Sequence, residues 1–186
     1  MEFGIPWQNL NIEDIQYGLS QNNTRIEDGL FVPIYYADKN VRCQAVHILT
    51  PELIIRDIES CDDGIYLNFL IPNNSDFLKK LKELDLRNLQ EADTHKNTWW
   101  PKNKIITDIS YKTVLKTLSN GQTEWRLQIP DSGIFSCYDT ARKSWYASNE
   151  SGLQKRKWKI LGRTSGLWIN NNSFGMDWKL IGAFVI

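Results

Sequence analysis

The chain has 186 residues, 41% of them hydrophobic and 24% charged, with 22 Lys+Arg balancing 22 Asp+Glu. This composition excludes a disordered polyelectrolyte, and the length suits one domain (residues 1–186) with enough interior to fold without disulfides or structural metals. The apolar runs 65–71 and 181–186 fall far short of the roughly 20 residues that span a bilayer, and Cys43, Cys61 and Cys137 follow no disulfide framework, so a reducing intracellular compartment and no membrane partner are expected.

The N-terminal residues Met1-Glu2-Phe3-Gly4-Ile5-Pro6-Trp7 have neither the basic start nor the apolar stretch of a secretory signal. β-type composition then marks Leu30–Tyr36, Val41–His47 and Leu53–Ile58, bounded by Asp38-Lys39-Asn40 and Thr50-Pro51, and a further strand over Gly64–Ile71. Pro72-Asn73-Asn74 ends that strand. Ser75 is an N-cap with Asp76 in the first turn, and Phe77, Leu78, Leu81, Leu84, Asn88 and Leu89 recur at helical spacing to about Glu91. Trp99-Trp100-Pro101 closes the helical region, because the residue before a proline is pushed out of helical geometry.

Strands resume over Lys104–Leu115, Thr123–Ile129, Gly133–Tyr138, Lys157–Arg163, Gly166–Ile169 and Asp177–Ile186. Many short strands around one main helix predict a mainly β protein, a small barrel for which the five-stranded OB-fold is one solution and a β-sandwich the alternative.

Catalytic signals are thin. His47 and His95 have no sequence-local nucleophile, no phosphate-binding loop or nucleophile elbow is present, and Cys43, His47 and Cys61 lack metal-ligand spacing. The expectation is a non-enzyme without cofactor or metal. A Mg²⁺-dependent nuclease built on Asp57, Glu59, Asp62 and Asp63 is a weaker reading, because acids around a glycine more often form a solvated loop.

Charge is distributed unevenly. Residues 1–95 carry 8 Lys+Arg against 16 Asp+Glu, whereas residues 96–186 carry 14 against 6 and hold seven of the eight Trp. From Arg142 to Arg163 seven cations face one acid, Glu150, and segment 147–152 is expected to be an exposed loop between them. Cations beside flat rings suit a strand whose phosphates pair with charge and whose bases stack. Trp158, Trp168 and Trp178, inside strand-like runs, are expected in the core. Trp145 and Tyr146, beside Arg142 and Lys143, are expected to be functional, and Trp99 and Trp100 divide evenly between the two roles.

The order of these features resembles the single-stranded DNA-binding proteins of nucleo-cytoplasmic large DNA viruses. The likeness rests on Thr50-Pro51-Glu52-Leu53, the helix from Phe77, Trp99-Trp100, Phe135-Ser136-Cys137-Tyr138-Asp139, and above all Gly166-Leu167-Trp168-Ile169 with Phe174-Gly175-Met176-Asp177-Trp178. That family is related in fold to the single-stranded DNA-binding protein of short-tailed coliphages, so the resemblance implies an OB-fold-like barrel over roughly residues 30–186, an N-terminal extension over 1–29, and a role in viral DNA replication or recombination. The phage relatives end in an acidic tail, whereas this chain ends Gly182-Ala183-Phe184-Val185-Ile186, so tail-mediated recruitment is not expected.

The expected DNA contacts are Trp99, Trp100, Lys102, Lys104, Lys112, Arg126, Arg142, Lys143, Trp145, Tyr146, Lys155, Arg156, Lys157 and Lys159. Expected partners are single-stranded DNA and, secondarily, replication proteins or further copies of the chain. The alternative is a virion or assembly protein of β-sandwich type, its acidic and basic halves meeting between copies.

Overall fold

The computed structural model describes residues 4–100, 108–130, 135–141, 143–148 and 156–186, the stretch 144–148 by its backbone. In chain order the strands are β1 (Ile5–Pro6), β2 (Ile15–Tyr17), β3 (Gln21–Asn22), β4 (Leu30–Ala37), β5 (Arg42–Cys43), β6 (Val46–Leu49), β7 (Leu53–Cys61) and β8 (Gly64–Ile71). Helices α1 (Asp76–Thr94) and α2 (Lys96–Trp99) follow. Then come β9 (Ser110–Lys112), β10 (Leu115–Thr117), β11 (Thr123–Gln128), β12 (Phe135–Asp139), β13 (Ser144–Ser148), β14 (Lys157–Thr164), β15 (Gly166–Asn170), β16 (Ser173–Met176) and β17 (Lys179–Val185).

A ring of strands closes on itself. β7 is antiparallel to β8 and β8 to β11; β11 meets β17 in parallel through Gln128 and Lys179; β17 is antiparallel to β14, which returns to β7 through Lys157–Ile54 and Trp158–Leu53. This five-stranded closure, with one parallel contact between its third and last strands, defines an OB-fold barrel. Alternation fills it: Trp158 and Ile160 of β14, Trp125 and Leu127 of β11, and Leu67 and Phe69 of β8 are buried, while Lys157 and Lys159, which alternate with Trp158 and Ile160, are exposed. Register shifts at Ile55/Asp57 in β7 and Leu161/Gly162 in β14 bend the strands around the barrel.

The helix forms as its pattern dictates. The Ser75 hydroxyl accepts from the Leu78 N–H at 3.2 Å, and Phe77, Leu78, Leu81, Leu84, Asn88 and Ala92 are buried along one face. Its first turn seals against the barrel through an aromatic chain: Phe77 meets Trp125 edge-on at 5.6 Å and Trp7 at 5.7 Å, and Trp125 meets Trp178 at 5.4 Å.

A second sheet is built on the connection between the last two barrel strands. The β15–β16 hairpin leaves β14 at Thr164, pairs β15 with β4 and β16 with β9, and re-enters the barrel at β17. Residues before β4 belong to the same framework, since β2 and β3 pair with β4, β1 pairs with β6, and Leu10, Ile12 and Ile15 are buried.

Some expected boundaries shift. Val41–His47 is divided into β5 and β6, and of Lys104–Leu115 the described part forms β9 and the start of β10, separated by a turn in which the Thr113 hydroxyl accepts from the Leu115 N–H at 3.0 Å. Ala147 and Ser148, expected in a loop, pair with Ser136 and Phe135 in the β12–β13 hairpin, whose ladder satisfies backbone groups that composition alone assigns to no element.

Candidate nucleic-acid interface

The outer face of β7, β8 and β11 is polar because each inward apolar residue alternates with an outward one. Tyr66, Asn68 and Leu70 of β8 lie opposite Gln128, Arg126 and Glu124 of β11. These side chains are interlocked. Asn68, 3% exposed, donates to Asp57 Oδ1 at 2.7 Å, and Arg56 donates to the buried Glu124 while lying 3.8 Å from Asp57. The Arg126 guanidinium sits 3.6 Å over the Tyr66 ring, donates to Cys61 Sγ at 3.1 Å and lies 3.8 Å from Glu59.

The turn between β7 and β8 closes one end of this face. Gly64 adopts a φ of +143°, which only glycine tolerates well, and a Cβ there would press on the Gln128 amide at 2.6 Å. Tyr66 Oη donates to Asp63 Oδ2 at 2.8 Å, and Gln128 Nε2 donates to the Asp63 carbonyl at 3.0 Å. Burial and the Asp63 carboxylate push the Tyr66 phenol above its ordinary value.

The β15–β16 insertion supplies the opposite boundary. Trp168 is half-buried, its Nε1 donating to Asp177 Oδ1 at 3.2 Å. It lies across Gly175, where a Cβ would come within 2.7 Å of the ring. Burial raises the Asp177 carboxyl, with the Trp168 hydrogen bond opposing.

Between these boundaries runs a groove of about 490 Å³, its lining including Tyr66, Arg126, Trp168, Lys112 and Lys116 together with the acids Glu59, Asp63, Glu124 and Asp177. Among the described residues, two half-exposed rings, one guanidinium and two lysines therefore share a cleft with four carboxylates. Arg56 and Arg126 pair with two of those carboxylates, Glu124 and Glu59. The groove lies on the second and third barrel strands, between the first hairpin turn and the last interstrand insertion, where OB-folds bind oligonucleotides and oligosaccharides.

The structure brings two of the residues singled out in the sequence, Lys112 and Arg126, into this groove. It overturns the expectation that Trp99 and Trp100 could offer ring faces. They are 1% and 4% exposed, Trp99 stacked on His95 at 5.4 Å, and Trp100 edge-on to Phe174 with Nε1 donating to the Asn171 carbonyl at 3.0 Å. Their place after α1 packs them between the helix and the second sheet.

Lys143, Arg156, Lys157 and Lys159 are exposed but do not line the groove, and Lys157 lies 3.3 Å from Glu52. Trp145 and Tyr146 pair with Tyr138 and Cys137 in the β12–β13 hairpin. Lys102, Lys104, Arg142 and Lys155 lie outside the described residues. Trp158 and Trp178 are buried as expected, Trp178 also touching the groove's lining, whereas Trp168, also assigned to the core, is half-buried and offers its ring to the groove. Tyr66 and Lys116 were not singled out in the sequence. Tyr66 alternates with Asn68 at outward positions of a strand whose other side chains are apolar, and that alternation is the one signal that could have marked it.

Among the described residues no group of three or more His, Cys, Asp or Glu is arranged to hold a metal ion, and no helix is long and apolar enough to cross a membrane.

The barrel and its insertion define an OB-fold protein. No family model and no curated protein matches the sequence. In three dimensions the chain is similar to the single-stranded DNA-binding protein of bacteriophage Enc34 in complex with single-stranded DNA, with a TM-score of 0.50 and 9% identity over 92% of this chain and 95% of that one. A C-terminal truncation of the Enc34 protein has a TM-score of 0.49 and 11% identity over 83% of this chain and 94% of that one.

Proposed function

We propose that this chain is a non-enzymatic, sequence-independent single-stranded DNA-binding protein acting in viral DNA replication or recombination, of the kind found in nucleo-cytoplasmic large DNA viruses. The observation that carries the reading is the groove itself: Tyr66, Trp168, Arg126, Lys112 and Lys116 lie together at the ligand position of an OB-fold. A protein of similar fold was solved with single-stranded DNA bound. Rings stack on bases of any identity, and cations release counterions from the phosphates, so such a groove needs no base-specific contact.

The exposed cations Lys143, Arg156, Lys157 and Lys159 extend the proposed contact surface beyond the groove. The free thiols of Cys43, Cys61 and Cys137 are consistent with action in a reducing compartment such as host cytoplasm or nucleus.

Fluorescence anisotropy of a labelled oligo-dT strand, at two salt concentrations and against a duplex competitor, tests the reading. Tight binding that weakens steeply with salt and resists duplex is expected. Failure to bind at low salt would refute it and turn attention to self-assembly.

A further inference from the structure

We propose that Asp85, on α1 and outside the groove, is a positioning residue that holds the groove's cationic wall in place; this rests on the single-strand reading above. That wall consists of Lys112 on β9 and Lys116 on β10. Among the described residues neither lysine makes an ion pair, so the acids across the groove do not fix them. β9 is three residues long and, among the described residues, lies at the edge of its sheet and pairs with β16 alone, through the three registers Ser110–Ser173, Tyr111–Phe174 and Lys112–Gly175.

Asp85 adds side-chain hydrogen bonds to that ladder. Lys112 is flanked in sequence by Tyr111 and Thr113, and both hydroxyls donate to the one carboxylate: Tyr111 Oη to Asp85 Oδ1 at 2.6 Å, and Thr113 Oγ1 to Asp85 Oδ2. Thr113 Oγ1 also accepts from the Leu115 N–H, so the clamp reaches the strand that carries Lys116. One turn along the helix, Asn88 donates to the same Tyr111 hydroxyl at 2.9 Å and accepts from Tyr17 at 2.7 Å, which ties the assembly to β2.

The carboxylate is held at a cost. Among the described residues it has no cationic partner, and burial raises its carboxyl above the ordinary value despite the two hydrogen bonds that oppose the shift. An apolar residue would satisfy helix packing without that desolvation. What it could not do is grip the residues on both sides of Lys112.

The test is a double-mutant cycle read by single-strand affinity and its salt dependence. Lys112→Ala should lower the slope of log affinity against log salt by about 0.7, the share of one phosphate on a single strand, Asp85→Ala should lower it by about 0.7–1.4 as one or both lysines are displaced, and the double variant should lose clearly less than the sum of the two. Full additivity of the two losses would overturn the positioning role. Because Asp85→Ala could loosen α1, the pair Tyr111→Phe with Thr113→Val provides a second route: it removes both donors, leaves the helix untouched, and should reproduce the reduced slope. An unchanged slope in that variant would overturn the inference as well. A parent chain that binds no single strand overturns the functional reading itself; a parent that binds while the losses add overturns only the role of Asp85.

Discussion

The guanidinium carbon of Arg126 lies 3.6 Å from the centroid of the Tyr66 ring, so a cation and an aromatic ring share the groove proposed to take up single-stranded DNA. The pair is pre-set before any ligand arrives: Glu59 and Cys61 hold the guanidinium, and Asp63 holds the phenol. Preorganisation lowers the entropy lost on binding. Arg126→Ala should therefore weaken single-strand binding and reduce the salt slope by about 0.7. Arg126→Lys should keep most of that slope yet still lose affinity, because a lysine cannot lie flat on the ring. Tyr66→Ala should cost about 1–3 kcal/mol of binding with little change in slope. Anisotropy titrations at several salt concentrations separate these outcomes.

Trp168 is the other ring of the groove, and its position depends on a missing Cβ. At Gly175 a built Cβ would lie 2.7 Å from both the Lys112 carbonyl and the Trp168 ring, and the backbone oxygen cannot move aside cheaply. Gly175→Ala should destabilise the fold by about 1–3 kcal/mol through overpacking and disturb the ring as well. Trp168→Ala should remove about 1–3 kcal/mol of single-strand binding, and Trp168→Phe should restore part of it. Urea denaturation alongside binding distinguishes lost stability from lost contact.

How far the fold was legible follows from which forces set it. The helix and the strand from Gly64 to Ile71 are local events, fixed by Ser75 as cap and by apolar spacing, and they form where the pattern predicts. Barrel closure is not local: the parallel contact of Gln128 with Lys179 joins residues far apart in the chain, and only the spacing of short strands hinted at it. The groove was harder still. Charge density along the chain pointed to 142–159, whereas the cleft is assembled from Lys112, Arg126 and Trp168 with Tyr66, each from a different strand. Trp168 shows why: a tryptophan in an apolar run reads as core, and only the insertion's geometry turns one side of it outward.

Trp99 and Trp100 carry a prediction about stability, not binding. Both are buried, and Trp100 spends its single donor on the Asn171 carbonyl. Trp99→Ala or Trp100→Ala should cost about 3–5 kcal/mol of folding stability. Trp100→Phe, which keeps packing and loses the hydrogen bond, should cost about 1 kcal/mol, more if the carbonyl is left unsatisfied. Near-ultraviolet circular dichroism and urea midpoints read these effects. A variant that stays fully stable but loses DNA binding would contradict the assignment of these rings to the core.

Asp177 links stability to pH at the groove's edge. Burial raises its carboxyl above the ordinary value of 3.8, with the Trp168 hydrogen bond acting in the opposite direction. For an acid whose folded value exceeds its unfolded one, protonation favours the fold, so its contribution is fully present below the unfolded value and is lost as pH rises through the folded value. At neutral pH the charged Asp177 therefore works against folding. Asp177→Asn keeps an acceptor for Trp168 Nε1 and removes the charge, so it should raise the urea midpoint at about pH 7, the gain shrinking towards about pH 4 as the parent carboxylate is protonated. The same substitution removes a negative charge from a groove proposed to take up phosphates and should tighten single-strand binding at neutral pH. A lower midpoint at neutral pH would show that the hydrogen bond of the charged carboxylate to Trp168 outweighs its desolvation, and would reverse the order of the two effects argued here.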